Sequence, residues 1–425
     1  MPWLRKTLGE ICKEGGGRIQ TGPFGSQLHE SDYSTDGIPV VMPADIVEGK
    51  ISTTRIARVS ERHVERLSRH KLSKGDIVYG RRGEIGRQAL IAIENEGWLC
   101  GTGCLKISLG NAYLNSEFLH RYLSTSAVIG WIEGQAVGAT MPNLNTGILE
   151  RIPVFYPEDQ KTQKKIAAIL SAYDDLIENN RRRIALLEKM AEEIYREWFV
   201  RMRFPGHKQA KFEKGVPAGW WQAALGEVAN FTMGQSPSSE HYNEMGDGLP
   251  FHQGVGTYGN RFPKTLTYCS VDGRRARKGD TLFSVRAPVG RLNIADRDMI
   301  IGRGLAAIRH RKQKNAYLYY LLKSAFAAED IIGNGSIFNS VGKDELAKFP
   351  IFQPEPDLVD RFESIAAKID QEIAVLIEST EKLVSSRDML LPRLISGKLA
   401  VEHLDIRFPP SMLESGKGAP EAALS

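Results

Sequence analysis

The chain has 425 residues, 42% of them hydrophobic and 25% charged, with a formal net charge of +5. That length exceeds one ordinary domain, and the apolar content supports two or three sizeable cores, which excludes a low-complexity or disordered chain. The slight basicity permits a nucleic-acid partner if the positive residues cluster, but does not identify one.

No apolar run approaches the ~18 residues of a membrane span, and the N-terminus lacks the apolar core of a signal peptide. A cytoplasmic protein with no membrane partner is therefore expected. The cysteines are Cys12, Cys100, Cys104 and Cys269. So few in so long a chain suit a reducing compartment. No second Cys or His pair completes a zinc site beside Cys100 and Cys104, so free thiols and no metal are predicted.

In chain order, residues 1–157 are Gly-rich, with short apolar runs at 77–79 and 89–93 between Gly and Asp turns. That pattern predicts a mixed domain of many strands and a few helices, one of them near 116–124. Residues 158–203 follow as a long helix with an acidic first turn at Glu158 and Asp159. Its apolar positions are Ile166, Leu170, Tyr173, Ile177, Asn180, Ile184, Leu187, Ala191, Ile194 and Trp198. Their spacing alternates 4 and 3, the seam of a coiled coil, and about 40 residues make a rod of roughly 60 Å.

Residues 204–356 return to the first pattern and 357–400 to the second. The second seam runs Phe362, Ala366, Ile369, Ile373, Leu376, Thr380, Leu383, Arg387, Leu390 and Leu394, with Pro392 expected to stop or kink the helix. Residues 401–425 form a tail, predicted to be disordered from 411 onward.

The two halves repeat in order. Leu8-Gly9-Glu10-Ile11 returns as Leu225-Gly226-Glu227-Val228, and Asp36-Gly37-Ile38-Pro39 as Asp247-Gly248-Leu249-Pro250. The segment from Lys74 to Arg87 aligns with that from Lys278 to Arg291, and Gly101-Thr102-Gly103 with Gly302-Arg303-Gly304. Asn143 and Asn339 then precede Arg151-Ile152-Pro153 and Lys348-Phe349-Pro350. The fold class is α+β: two similar mixed α/β domains joined by two long antiparallel helices in a coiled coil, a pseudo-twofold internal duplication. Asn180 and Thr380 are polar seam positions that can fix register. The alternative is two separate amphipathic helices, each packed on its own domain.

These residues resemble the specificity subunit of a type I restriction-modification system. The resemblance is carried by the two Leu-Gly-Glu openings, by Gly215-Val216-Pro217-Ala218-Gly219-Trp220, and by the Lys-Gly-Asp to Gly-Arg segments. It continues through Gln163 with Ile166-Ala167-Ala168-Ile169-Leu170, and through Leu391-Pro392-Arg393-Leu394-Ile395-Ser396-Gly397. It implies that residues 1–157 and 204–356 are target recognition domains, each reading one half of a bipartite, asymmetric site in double-stranded DNA. The helices are implied to set the unread spacer and to dock two methyltransferase subunits. S-adenosylmethionine would belong to those partners; ATP and Mg would belong to restriction subunits, of which two can join. The chain itself is expected to hold no cofactor.

Catalytic motifs are missing from the sequence. There is no cofactor loop and Asn/Asp-Pro-Pro-aromatic motif of a methyltransferase, and no phosphate loop ending in Gly-Lys-Ser/Thr. Gly101-Thr102-Gly103 reads as a tight turn. Asp159-Gln160-Lys161 mimics half of a nuclease metal site but sits where a helix start favours carboxylates anyway. The chain is expected not to be an enzyme.

Candidate DNA contacts are Lys74, Arg81, Arg82 and Arg87 in the first domain, and Arg261, Arg274, Arg275, Arg286 and Arg291 in the second. A second basic group comprises Arg55, Arg58, Arg62, Arg66, Arg69 and Lys71. Arg81, Arg82 and Arg286 stand where a short apolar run opens into a Gly- or Pro-rich loop, a position from which Arg can reach guanine. Phosphate contact or an ordinary ion pair explains any single Arg as well. Polar loops at 20–34, 235–243 and 252–261 add further candidates, Tyr258 and Asn260 among them. Two other readings stay open: a scaffold whose globular ends bind protein, and a nuclease or methyltransferase with an unrecognised site.

Overall fold

The structure, a computed structural model, describes residues 2–25, 27–135, 144–326 and 340–412. Asn143, Asn339 and most of the predicted tail lie outside them. Contacts divide the chain into two units, Met1–Asn179 with Ser379–Ser425, and Asn180–Glu378. Each unit therefore contains one globular domain and one half of each long helix.

The first unit opens with a strand, Trp3–Thr7, paired antiparallel with Pro153–Pro157. Thr7 caps the following helix, Leu8–Glu14: its hydroxyl accepts from the Glu10 amide and its own amide donates to the Glu10 carboxylate at 2.8 Å. The Leu-Gly-Glu opening is thus a capping box, which satisfies helix-end donors reciprocally. Its glycine is needed for close approach, because a Cβ on Gly9 would lie 3.0 Å from the Glu150 side chain.

A four-stranded antiparallel sheet follows, ordered Gly16–Thr21, Cys104–Gly110, Ile77–Gly80 and Gln88–Leu90. A second has Ile38–Val41 between Leu99–Cys100, parallel to it, and Ala57–Val59, with Tyr33–Ser34 at the edge. Val41, Val78, Cys100 and Cys104 are buried together. The larger core joins Leu8, Tyr79, Leu105, Phe118 and Leu119 to the long-helix residues Ile166, Leu170, Leu394 and Ile395. The helix expected near 116–124 is Ser116–Leu123, capped by Asn115.

The second unit repeats this topology. Trp221–Ala224 pairs with Pro350–Gln353, and a sheet runs Ala229–Met233, Leu305–His310, Thr281–Ser284, Leu292–Ile294. Leu249–His252 lies parallel to Met299–Ile301 and antiparallel to Tyr268–Cys269. The correspondence extends to single hydrogen bonds. Ile91 donates to the Asp76 carbonyl at 2.8 Å as Ala295 does to Asp280 at 2.9 Å. Gly22 donates to Cys104 as Gly234 does to Leu305, both at 2.9 Å.

The long helices are Gln160–Tyr195, closed by a π-turn at Arg196–Val200, and Pro356–Ile395. Within the first unit Arg387 donates to Asp174 at 2.7 Å, while Leu394 shares a core with Ile166 and Leu170. Within the second, Arg183 donates to Glu372 at 2.7 Å and Phe362 packs on Tyr195 and Trp198. In each unit the helices therefore run antiparallel. The predicted seam faces inward: Ile166, Leu170, Ile177, Asn180, Ile369, Ile373 and Leu376 are buried, and Tyr173, Ile184, Leu187, Ile194, Thr380, Leu383 and Leu390 are half-buried. Pro392 lies inside the second helix and does not break it before Ile395. It falls in the last turn, so only three residues of helix follow it. The paired-helix reading holds over helices packed each on its own domain: the second helix ends with Leu394 and Ile395 in the first domain's core, and the first ends with Ala191 and Tyr195 in the second's. No helix among the described residues is long and apolar enough to cross a membrane.

Candidate nucleic-acid interface

The Lys-Gly-Asp segment builds a turn before it builds a site. Gly75 and Gly279 adopt φ of +86° and +84°, a region that side chains disfavour. The aspartates fold inward. Asp76 accepts from the Ser73 amide at 2.9 Å and the Ser108 hydroxyl at 2.6 Å, with the buried Lys106 ammonium 3.6 Å away. Asp280 accepts from the Arg277 amide at 2.7 Å and pairs with Arg309 from the neighbouring strand. Burial pushes the Asp280 carboxyl above the usual range, and the Arg277 amide and Arg309 pull it back. These aspartates hold the turn and leave Lys74 and Lys278 exposed beside it.

The strand after each turn, Ile77–Gly80 or Thr281–Ser284, leads directly to the arginine loop. Arg81 donates through its amide to Gly103 at 2.9 Å and through Nε to Leu144 at 3.1 Å. Val285 replaces it in the second domain and keeps the main-chain bond, donating to Gly304 at 3.0 Å. Arg81 is therefore half-buried structure as much as surface. The next residues, Arg82 and Arg286, are exposed in both domains. The loops close where Gly80 donates to Arg87 at 2.8 Å and Ser284 to Arg291 at 2.9 Å. Arg87 is anchored by Glu84 at 2.8 Å and the Pro43 carbonyl at 3.2 Å; the exposed Arg291 donates through its amide to the Ser284 hydroxyl at 2.8 Å.

The other cations sort in the same way. Arg58 donates to Gly37 and Arg66 to Gln27, both at 2.8 Å, and Arg69 to His70 at 2.9 Å. Arg275 pairs with Asp272 at 2.7 Å. Arg55, Arg62, Lys71 and Arg274 are exposed.

Arg261 is a correction. As a loop residue between Asn260 and Phe262 it has the local context of a base-reading side chain, yet it is 1% exposed. Its guanidinium pairs with Asp370, lies 3.5 Å from Glu188 and sits 4.9 Å over the Tyr319 ring. A side chain so enclosed cannot touch DNA. Tyr258 also turns inward, its buried hydroxyl raised by desolvation, while Asn260 stays exposed.

The remaining chemistry-bearing residues have structural roles. Asp159 accepts from the Thr162 amide at 3.0 Å and hydroxyl at 2.8 Å, and these bonds lower its carboxyl, as a helix cap requires. All four cysteines are buried free thiols. Burial pushes Cys12 and Cys100 up to about 12, far from reactive thiolate. A Gly101 Cβ would lie 2.5 Å from the Val41 carbonyl, so Gly101-Thr102-Gly103 is the tight turn expected.

Four histidines are buried, and desolvation lowers His70, His252 and His310 to about 4 and His120 to about 3, from an ordinary 6.5. They stay neutral in the fold while the unfolded chain protonates, so stability is present above pH 6.5 and is lost as pH falls toward 4. The carboxyls Asp45, Asp280, Glu363 and Asp370 are raised by desolvation and act in the opposite sense, but by smaller shifts. The melting temperature is therefore expected to drop steadily across that window. A flat profile between pH 7 and 4.5, read by thermal denaturation, contradicts this.

Two duplicated domains that expose cations on corresponding loops are the architecture of a DNA-recognition protein. A family model for the type I restriction modification DNA specificity domain matches residues 2–189 and again 217–383. The chain belongs to this family and is a DNA-sequence specificity subunit of the type I restriction-modification kind. It is 29% identical over 380 residues to a Methanocaldococcus jannaschii chain with the MjaX specificity-subunit designation, covering 86% of this chain and 88% of that one. It is 26% identical to the type I restriction enzyme MjaIX specificity subunit of the same organism, covering 95% and 94%. The fold also matches the crystal structure of a type I S subunit from M. genitalium, with a TM-score of 0.62 at 16% identity, covering 93% and 96% of the chains.

Proposed function

We propose that the two globular domains read the two halves of one bipartite, asymmetric duplex site, with Arg82 and Arg286 as the leading base-reading side chains. The observation that carries this is their equivalence: one scaffold, hydrogen bond for hydrogen bond, offers an exposed Arg at the same turn in two loops of different sequence. Lys74, Arg274 and Arg291 would supply phosphate contacts, which position the protein and make affinity salt-dependent.

The paired helices set the unread gap and dock two methyltransferase subunits. Exposed apolar residues support docking: Leu186, Met190 and Val375 in the second unit, and Leu176 and Met389 in the first. In this reading the chain contributes no catalytic group and works in the cytoplasm. S-adenosylmethionine enters with the methyltransferases, and ATP and Mg with restriction subunits that join them.

Methylome sequencing of a host expressing this chain with its methyltransferase partner tests the reading. A new split adenine-methylated motif is expected. Exchange of residues 1–157 for a relative's domain should alter one half of that motif only. Absence of any new motif, or alteration of both halves, sinks it.

A further inference from the structure

We propose that Arg261 is a positioning residue that ties the recognition loop at 252–263 to both long helices, so that the second domain's reading depends on Glu188 and Asp370. The inference rests on the reading that this domain recognises a half-site. Hydrogen bonds cross-link the loop. His252 Nδ1 and Thr257 Oγ1 are 2.9 Å apart, Gly259 donates to Phe262 at 3.1 Å, and Asn293 Nδ2 donates to the Gly259 carbonyl at 2.9 Å. From this loop Arg261 turns inward, and its carbonyl accepts from Ile294 at 2.9 Å. Its guanidinium meets Asp370 on the second long helix and Glu188 on the first. The Tyr320 hydroxyl donates to the same Asp370 oxygen at 3.0 Å.

A cation buried this deeply is retained only where opposite charges meet it, so the loop and the helix carboxylates form one unit. The first unit is tied differently. There the cations on Asp174 are Arg121, from the helix Ser116–Leu123, and Arg387, from the second long helix; neither belongs to a loop. The hairpin cation that does meet a long helix there, Lys50 at 3.6 Å from Glu178, forms an exposed pair, so its loss strands no buried charge. Exchange of residues 204–356 removes Arg261 and leaves Glu188 and Asp370 behind.

The test uses the complete chain in complex with its methyltransferase, with half-sites assigned by domain exchange. Arg261→Lys, Asp370→Asn and the reversed pair Arg261→Asp with Asp370→Arg are compared by methylome sequencing. The single variants are expected to broaden base choice at the second half-site by about tenfold, leave the first half-site intact, and recover in the reversed pair. A second half-site that stays sharp in both single variants overturns the proposal. So does an equal decline of both half-sites, which marks a merely structural role. Absence of any split motif with the unaltered chain instead defeats the underlying reading.

Discussion

Replacing Phe362 with Ala is expected to destabilise the second unit by about 3–5 kcal/mol, the range for deleting a buried aromatic ring. Phe362 is fully buried, and its ring centroid lies 5.6 Å from Tyr195, 5.3 Å from Phe199 and 5.9 Å from Tyr320, each in an edge-on arrangement. Edge-on pairs contribute roughly 0.5–1.5 kcal/mol each beyond their area. The ring joins the first long helix, the second long helix and the helix Asn315–Phe326 of the globular domain. Its removal therefore loosens all three contacts at once. With a domain stability of about 5–15 kcal/mol, the melting temperature should fall by roughly 10 °C. Phe352, 52% exposed, is the control, and Phe352→Ala should shift it little. Equal shifts for the two variants would remove Phe362 from its place at the centre of this core.

Arg286→Ala is expected to reduce discrimination at one base position in the second half-site by about 10–100-fold, and Arg82→Ala at one position in the first. A good bidentate Arg–guanine contact provides about 1–3 kcal/mol of discrimination. Both side chains are exposed at the turn after a buried strand, Ile77–Gly80 in one domain and Thr281–Ser284 in the other. The residues just before them are held by main-chain bonds, Arg81 to Gly103 and Val285 to Gly304, so truncation should leave the strand ends in place. Competition binding by the assembled complex, on duplexes altered one base pair at a time, measures the effect. Lys74→Ala should instead weaken all duplexes alike and reduce the salt slope. If the Arg variants behave as the Lys variant does, they hold phosphate and would falsify the assignment of base reading.

Local signals were legible in the sequence where a few residues decide the outcome. The 4–3 spacing from Ile166 to Trp198 appears as an inward-facing helix stripe because helix periodicity is set by the backbone alone. The Leu-Gly-Glu openings and the Gly75 and Gly279 turns are likewise encoded within about a turn of chain. Roles within those segments were less legible. Asp76 and Asp280 look like motif residues with a shared task, but their task is to lock a turn through Lys106 and Arg309, strands away. Arg81 and Arg82 are indistinguishable as neighbours in sequence; the Gly103 and Leu144 carbonyls, which accept from Arg81, separate them in the fold.

The amino-acid sequence by itself determined the duplication, the two long helices and the turns between strands, because each follows from periodicity or from residues adjacent along the chain. The tertiary structure alone decided which cations face solvent. Arg261 and Arg286 both sit in polar loops, yet one is enclosed and the other exposed. The difference lies in carboxylates brought from Asp370, 109 positions away, and from Glu188 on another helix. Burying a guanidinium is costly unless such charges meet it, and that compensation is a property of the folded chain, invisible to any local window.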